Sequence, residues 1–344
     1  MATANLDSAD LKAVGRGGMI KEDVMDKIWD ISQIPLPFSD RAGFGGSVDN
    51  AYTEWTVDRL RDPNLNNAVV DGADITQNDT NVGSRLGNHC QISVKEVQVS
   101  TRADSSDTIG RDKELSYQVM MRQRELRRDV EAISLSMQGS VADDGATIAG
   151  KAGSVFSFLK TNVNLGATGT SAGFNPTTGL TASVVPGTAR GLTETMIKDM
   201  CNNIYNKGGD PSTLMARPSV IRLISEYMFT SSARIATMTT DVGQGTGAAT
   251  AKGAVNVYAT DFGVTLDLIP NRLMPQSSAG TSSVLFADWG FVQGAYLRGY
   301  QVEPLAKTGL SEKRMMSVDW TLKVLNEEAL GAIHAINEAT AMVQ

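Results

Sequence analysis

A chain of 344 residues with 41% hydrophobic side chains has the length for one elaborate domain or about two to three subdomains, and the apolar content for a real core. The 31 basic and 38 acidic side chains leave a net charge of −7, which argues against a strong general nucleic-acid binder without excluding a protein that merely encloses DNA. Cys90 and Cys201 are far apart and exclude a disulfide framework, and no apolar run approaches the roughly 18 residues of a transmembrane helix, so no membrane partner is expected. Met1–Asp10 is polar with no apolar signal core, so synthesis in a reducing cytoplasm is the expectation.

From the N-terminus, Val24, Ile28 and Ile31 recur at helical spacing and predict a short helix over Glu22–Ser32. Pro35 and Pro37, then Gly43, Gly45 and Gly46, turn the following stretch into an extended, hinged arm. Tyr52–Leu60 alternates like a strand. Gln91–Thr101 is a second strand, with Ile92 and Val94 on one face and Val97 and Val99 on the other; the phase slip at Lys95 and Glu96 predicts a bulge or bend. The polar tract Arg61–Asn88 between them reads as the tip of a long two-stranded excursion. An isolated hairpin is marginal in water, so this one is expected to pack on another chain.

Leu115, Val119, Arg122, Leu126, Val130, Ile133 and Met137 form one helical stripe, predicting a helix of about seven turns that stops near Gly139. Arg124, Arg127 and Arg128 interleave with Glu125, Asp129 and Glu131 on what reads as its salt-bridged outer face. In the loop-rich tract Gly145–Ala189 only Val155–Leu159 looks buried. Two helices follow: Leu192–Asn206, starting near Thr193 and stopping at Gly208 and Gly209, and Pro218–Phe229, opening on its proline. Past a glycine-rich loop, Gly243–Gly253, the tail is β-rich. Strands are expected around Val255–Val257, Val264–Leu268, Val284–Phe286, Ala295–Val302 and Met316–Val324, before Asn326 caps a last short helix carrying Leu330, Ile333 and Ile336. The class is α+β.

The motifs that suggest chemistry fail on ligand or context. Gly145–Ala152 approaches a phosphate-binding loop, but Ala152 stands where a hydroxyl must hold Mg²⁺. Gly169–Gly173 fits G-x-S-x-G around Ser171, yet it lies in a Gly/Thr/Ser tract, and the only later histidine, His334, falls in the expected terminal helix. His89 and Cys90 lack further ligands at zinc spacing. Asp143–Asp144 reads as a solvated turn, and Asn78-Asp79-Thr80 as a chance sequon. The residues therefore predict no catalytic site, no cofactor and no metal.

Several strings, in order, resemble one major capsid family of short-tailed phages. They are Tyr52-Thr-Glu-Trp55 with Asp58, Asn88-His-Cys-Gln91-Ile92 with Val99-Ser100, Gly110-Arg111 with Glu114 and Gln118, and Glu125-Leu126-Arg-Arg-Asp129-Val-Glu131. Further on come Tyr258-Ala-Thr-Asp261-Phe262-Gly263, Tyr296-Leu297-Arg298, Ala306-Lys307-Thr308-Gly309 and Leu325-Asn326-Glu327. The resemblance implies the Hong-Kong-97-type capsid fold. Its parts would be an N-terminal arm (1–45), an E-loop (46–104), a P-domain spine helix with its following loop (105–150), a mixed α/β A-domain (151–305), and a return (306–344) to P-domain strands and a C-terminal helix. It implies a major capsid protein that self-assembles as hexamers and pentamers into an icosahedral shell around phage double-stranded DNA, within a virion. Scaffolding, portal and cement proteins are possible further partners. Trp55, Arg59 and Arg61 on the rising side of the E-loop, and Arg85 on the returning side, become candidates for contact with a neighbouring subunit. The alternatives are an encapsulin-like nanocompartment, a tail or decoration protein, and a serine hydrolase using Ser171.

Overall fold

The computed structural model describes residues 35–74, 83–108, 113–228, 257–261, 263–277, 280–307 and 309–343. The expected helix over Glu22–Ser32 and the loop Gly243–Gly253 lie outside them. A four-stranded sheet takes the order Gly46–Ser47, Val292–Pro304, Ser311–Val324, Gln91–Ser100; the first pair is parallel and the rest antiparallel. A six-stranded mixed sheet takes the order Val163–Asn164, Gly331–Asn337, Thr281–Ala287, Thr213–Ala216, Thr265–Pro270, Val257–Ala259.

The 21-residue spine helix, Glu114–Ser134, lies on the four-stranded sheet. Its stripe puts Leu126 and Val130 against Val97, Val99, Val318 and the fully buried Trp320. Burial of each such side chain stabilises by about 1.5–3 kcal/mol, whereas an exposed ion pair contributes about 0–1 kcal/mol, so packing holds this helix in place. Asp104 Oδ1 accepts from Leu115 N at 3.1 Å and caps the helix start. The strands Gly331–Asn337, Thr281–Ala287 and Thr213–Ala216 of the six-stranded sheet are buried on both faces. Met215, Leu285 and Ala332 point into the core shared with the spine helix. Leu214, Phe286 and Ile333 point into a second core with the helices Glu194–Asn206 and Pro218–Met228. Thr193 caps the first of these helices, and Gly208 (φ +92°) ends it, its N–H and that of Gly209 returning to Tyr205 and Ile204.

Several expectations need correction. The returning strand of the excursion is Ser84–His89, which pairs with Tyr52–Val57; Gln91–Ser100 joins the four-stranded sheet instead. That strand has no bulge: its register with Ser311–Val324 runs unbroken, because Lys95 turns inward to Asp129 at 2.8 Å while Ile92 and Val94 stay outside. The spine helix ends at Ser134, five residues before Gly139, where the Ser134 and Ser136 hydroxyls bond back to Val130 and Ile133 carbonyls. Gly139 serves a different purpose, since a Cβ there would sit 2.5 Å from the Thr181 carbonyl oxygen.

The C-terminal helix is absent. Asn326 caps only a 3-10 turn, Glu327–Ala329, and Gly331–Asn337 is a strand inside the six-stranded sheet. A short segment buried on both faces carries no periodicity that separates strand from helix. Val292–Pro304, assigned above to the A-domain segment, belongs to the sheet under the spine helix.

Glu131 was expected on the outer face of the spine helix, yet it is fully buried. Its two oxygens accept from Phe38 N (3.2 Å) and Ser39 N (3.0 Å), the orphan donors at the start of the short helix Pro37–Ala42. Oε1 also accepts from Asn271 Nδ2 at 2.7 Å. Replacing Glu131 with Leu strands these buried donors, and the expected cost is about 3–5 kcal/mol, read as a lowered urea midpoint of the isolated subunit. An unchanged midpoint would show that the carboxyl is dispensable.

Candidate functional site

The hairpin Tyr52–Val57/Ser84–His89 divides sharply into an anchored base and a free tip. At the base, Trp55 Nε1 donates to the Val324 carbonyl at 3.0 Å and its ring lies 5.9 Å from Phe158. Asn88 is fully buried: its amide donates to the Leu322 (2.7 Å) and Gly153 (3.2 Å) carbonyls and its Oδ1 accepts from Gly153 N (2.8 Å) and His89 N (3.0 Å). The Tyr52 hydroxyl reaches the Gly179 carbonyl at 3.3 Å, and its ring occupies the space a side chain at residue 87 would need, which explains Gly87. The His89 ring lies tilted against that of Tyr52 with centroids 4.6 Å apart, burial lowers its pKa, and the residue closes its strand.

Every residue from Asp58 to Asp74 is exposed. Four of them are large and apolar: Leu60 (92%), Leu65 (95%), Val69 (86%) and Val70 (79%). Leu60 ends the strand expected from sequence, and Leu65, Val69 and Val70 lie in the expected polar tract Arg61–Asn88, where their signal is apolar residues with no periodic partner. The four expected contact residues separate accordingly. Trp55 is engaged within its own chain. Arg59 pairs with Asp62 (3.4 Å) and Glu328 (3.5 Å), and Arg85 with Glu54 (3.3 Å). Arg61 is exposed on the tip, with no ion pair among the described residues.

The chemistry-like motifs fold as ordinary structure. In the near phosphate loop, Asp144 accepts from the backbone N–H groups of Ala146, Thr147 and Ile148 and from the Thr147 hydroxyl, which hold its carboxyl well below the usual range. Val141 and Lys151 close that loop by a two-residue bridge. Arg122 pairs with Glu125, and Arg127 stacks over Tyr300 at 5.4 Å. His334 lies in a strand, fully buried, with Nδ1 2.8 Å from Ser283 Oγ; no hydrogen bond joins it to Ser171 among the described residues. Ala335 (φ +61°) beside it absorbs the register shift opposite Ser283.

The model of the SU10 major capsid protein family matches residues 3–337. The chain belongs to that family. It is 28% identical over 320 residues to the major capsid protein of Escherichia phage Phieco32, covering 83% of this chain and 86% of that one. Among solved structures, the capsid of a native GTA particle aligns with a TM-score of 0.60 at 12% identity, over 96% of this chain and 99% of that one. The SrpI encapsulin of Synechococcus elongatus aligns at 0.54 and 12% identity, over 98% of both chains. The fold is the Hong-Kong-97-type capsid fold, and the chain is a phage major capsid protein, a structural component of the virion.

Two outcomes follow from the residues around this site. Asn88→Ala leaves four backbone groups without their partner and should cost about 2–4 kcal/mol, with faster proteolysis across the base of the hairpin as the companion readout. Burial pushes the His334 pKa from 6.5 down to about 4, the Arg190 charge adding to the effect. The unfolded chain therefore takes up a proton that the folded chain refuses as pH falls from 6.5 towards 4, and about 3 kcal/mol of stability should disappear over that window. Denaturation midpoints at pH 7.5 and pH 4.5 check this, and His334→Gln should flatten the difference.

Proposed function

We propose that this capsid subunit assembles as hexamers and pentamers into an icosahedral shell in the host bacterial cytoplasm, with the E-loop tip lying on an adjacent subunit. The observation that carries the reading is the pairing of an anchored base with a tip that exposes Leu60, Leu65, Val69 and Val70. A monomer gains nothing from four apolar side chains in water, whereas a neighbour that covers them is stabilised by each. Contacts that are individually weak act together when symmetry repeats them around a closed container.

Double-stranded DNA would be enclosed without sequence-specific binding, as the net charge of −7 suits. Scaffolding, portal and cement proteins are the further partners of this reading. In this reading the hairpin Tyr52–Val57/Ser84–His89 with its tip forms the E-loop, shorter than the 46–104 expected from sequence; the spine helix and the four-stranded sheet, with its strand Gln91–Ser100, form the P-domain; and the six-stranded sheet with its helices forms the A-domain. The likeness to SrpI reflects the shared fold alone, and the family decides for the phage capsid over an encapsulin-like shell filled with protein cargo.

The structure narrows the deletion that tests assembly. Removing Gly46–Asp104 would also remove Val97 and Val99 from the core, so only residues 60–82 should be replaced by a short Gly-Ser turn. The expected product melts within a few degrees of the parent and forms no closed shells by electron microscopy. Normal shells from it would overturn the E-loop's role.

A further inference from the structure

We propose that the outer face of the four-stranded sheet around Asp319 receives Arg61 from a second copy of this chain. The proposal rests on the shell reading above and names the docking site for the E-loop tip within it. Asp319 lies on the strand Ser311–Val324, directly opposite Ile92 on one neighbouring strand and Arg298 on the other. It is only 5% exposed, yet its Oδ1 has no hydrogen-bond partner among the described residues. The nearest cation, Arg298 Nε, stands 3.9 Å from Oδ2, on a side chain that is half exposed. A desolvated carboxyl with an oxygen left unbonded is unfavourable, and a guanidinium, with five donors in a planar fork, is the side chain best shaped to complete it.

The apolar surroundings point to the same occupant. Ile92 and Val94 sit on that face at 55% and 47% exposure, unusual for aliphatic side chains in the middle of a strand. A complementary partner must therefore bring a cation beside an apolar group. The tip carries that pair: Arg61, with no ion pair among the described residues, follows Leu60, which is 92% exposed. The chain's own tip does not cover its own sheet, since every residue from Asp58 to Asp74 is exposed while the base is held at Trp55 and Asn88. A second copy supplies the missing half, as repeated subunits with complementary patches do. Arg59 and Arg85 already have carboxylate partners and are poorer candidates.

Charge reversal and its suppression test the pairing in full-length protein. Arg61→Glu should lower the yield of closed shells at least tenfold, by sedimentation and electron microscopy, without moving the melting temperature of the unassembled subunit. Adding Asp319→Asn to Arg61→Glu removes the like-charge contact and should recover part of that yield. A folding defect from Asp319→Asn is bypassed by a second pair: Arg61→Cys with Ile92→Cys should give interchain disulfide ladders on non-reducing gels of oxidised shells, absent from either single variant. Shells of Arg61→Glu at parental yield, or assembled double-cysteine shells without ladders, overturn the pairing and leave the capsid reading intact. Failure of the parent chain to form shells under any assembly condition overturns the shell reading itself, and this proposal with it.

Discussion

The buried Glu131 carboxyl is the constraint on which the arrangement of the layers depends. It sits on the inward face of the spine helix, one residue from Val130 in the core, and it binds outward in two directions. On one side it takes the two free N–H groups that begin the helix Pro37–Ala42, where the partial positive charge of a helix start favours an acidic group. On the other it takes the amide of Asn271, whose backbone N–H bonds to the Ala216 carbonyl at 2.9 Å, at the end of two strands of the six-stranded sheet. One side chain thus joins the helix Pro37–Ala42, the spine helix and the six-stranded sheet. Such a group is tolerated in a core only because its bonds are made, and for the same reason it discriminates against other placements of these three parts.

The base of the hairpin uses polar anchors of the same kind. Asn88 satisfies both sides of its amide against backbone from two distant segments, and Trp55 adds an indole donor over an aromatic floor. The direction in which the hairpin leaves the body is therefore set by hydrogen bonds with narrow geometry. From Arg59 to Asp74 every residue is exposed, Arg59 reaches back to Glu328 through a partly exposed ion pair at 3.5 Å, and aliphatic side chains stand among polar and charged ones. A rigid root with an adaptable tip suits a subunit that must meet neighbours at slightly different angles around a closed shell.

The sequence reading succeeded where one periodicity dominated and failed where burial acted on both faces. The spine helix announced itself by its apolar stripe, and the helices capped by Thr193 and opened by Pro218 by both stripes and end signals. The strand at Gly331–Asn337 did not, because a segment with six consecutive buried residues has no polar face to mark its period. The bulge expected at Lys95 was misjudged for a related reason. Two apolar pairs out of phase look like a slip, but one pair packs against the spine helix and the other is left on the surface. Glu131 was hidden because a charged residue among arginines reads as solvated until its partners, 93 and 140 residues away, are brought beside it.

The sequence by itself determined the class, the main helices, the hairpin and, through ordered family strings, the capsid identity, because these depend on local pattern and on residues close together in the chain. Only the tertiary structure decided which strand returns the hairpin, which sheet takes the C-terminal strand, that Trp55 points home, and that Asp319 is left with an unbonded oxygen beside two exposed aliphatic residues. Each of these depends on a pairing between segments far apart in the chain. Such a pairing is chosen by burial and hydrogen-bond satisfaction summed over the whole fold, and no local window of sequence contains that sum.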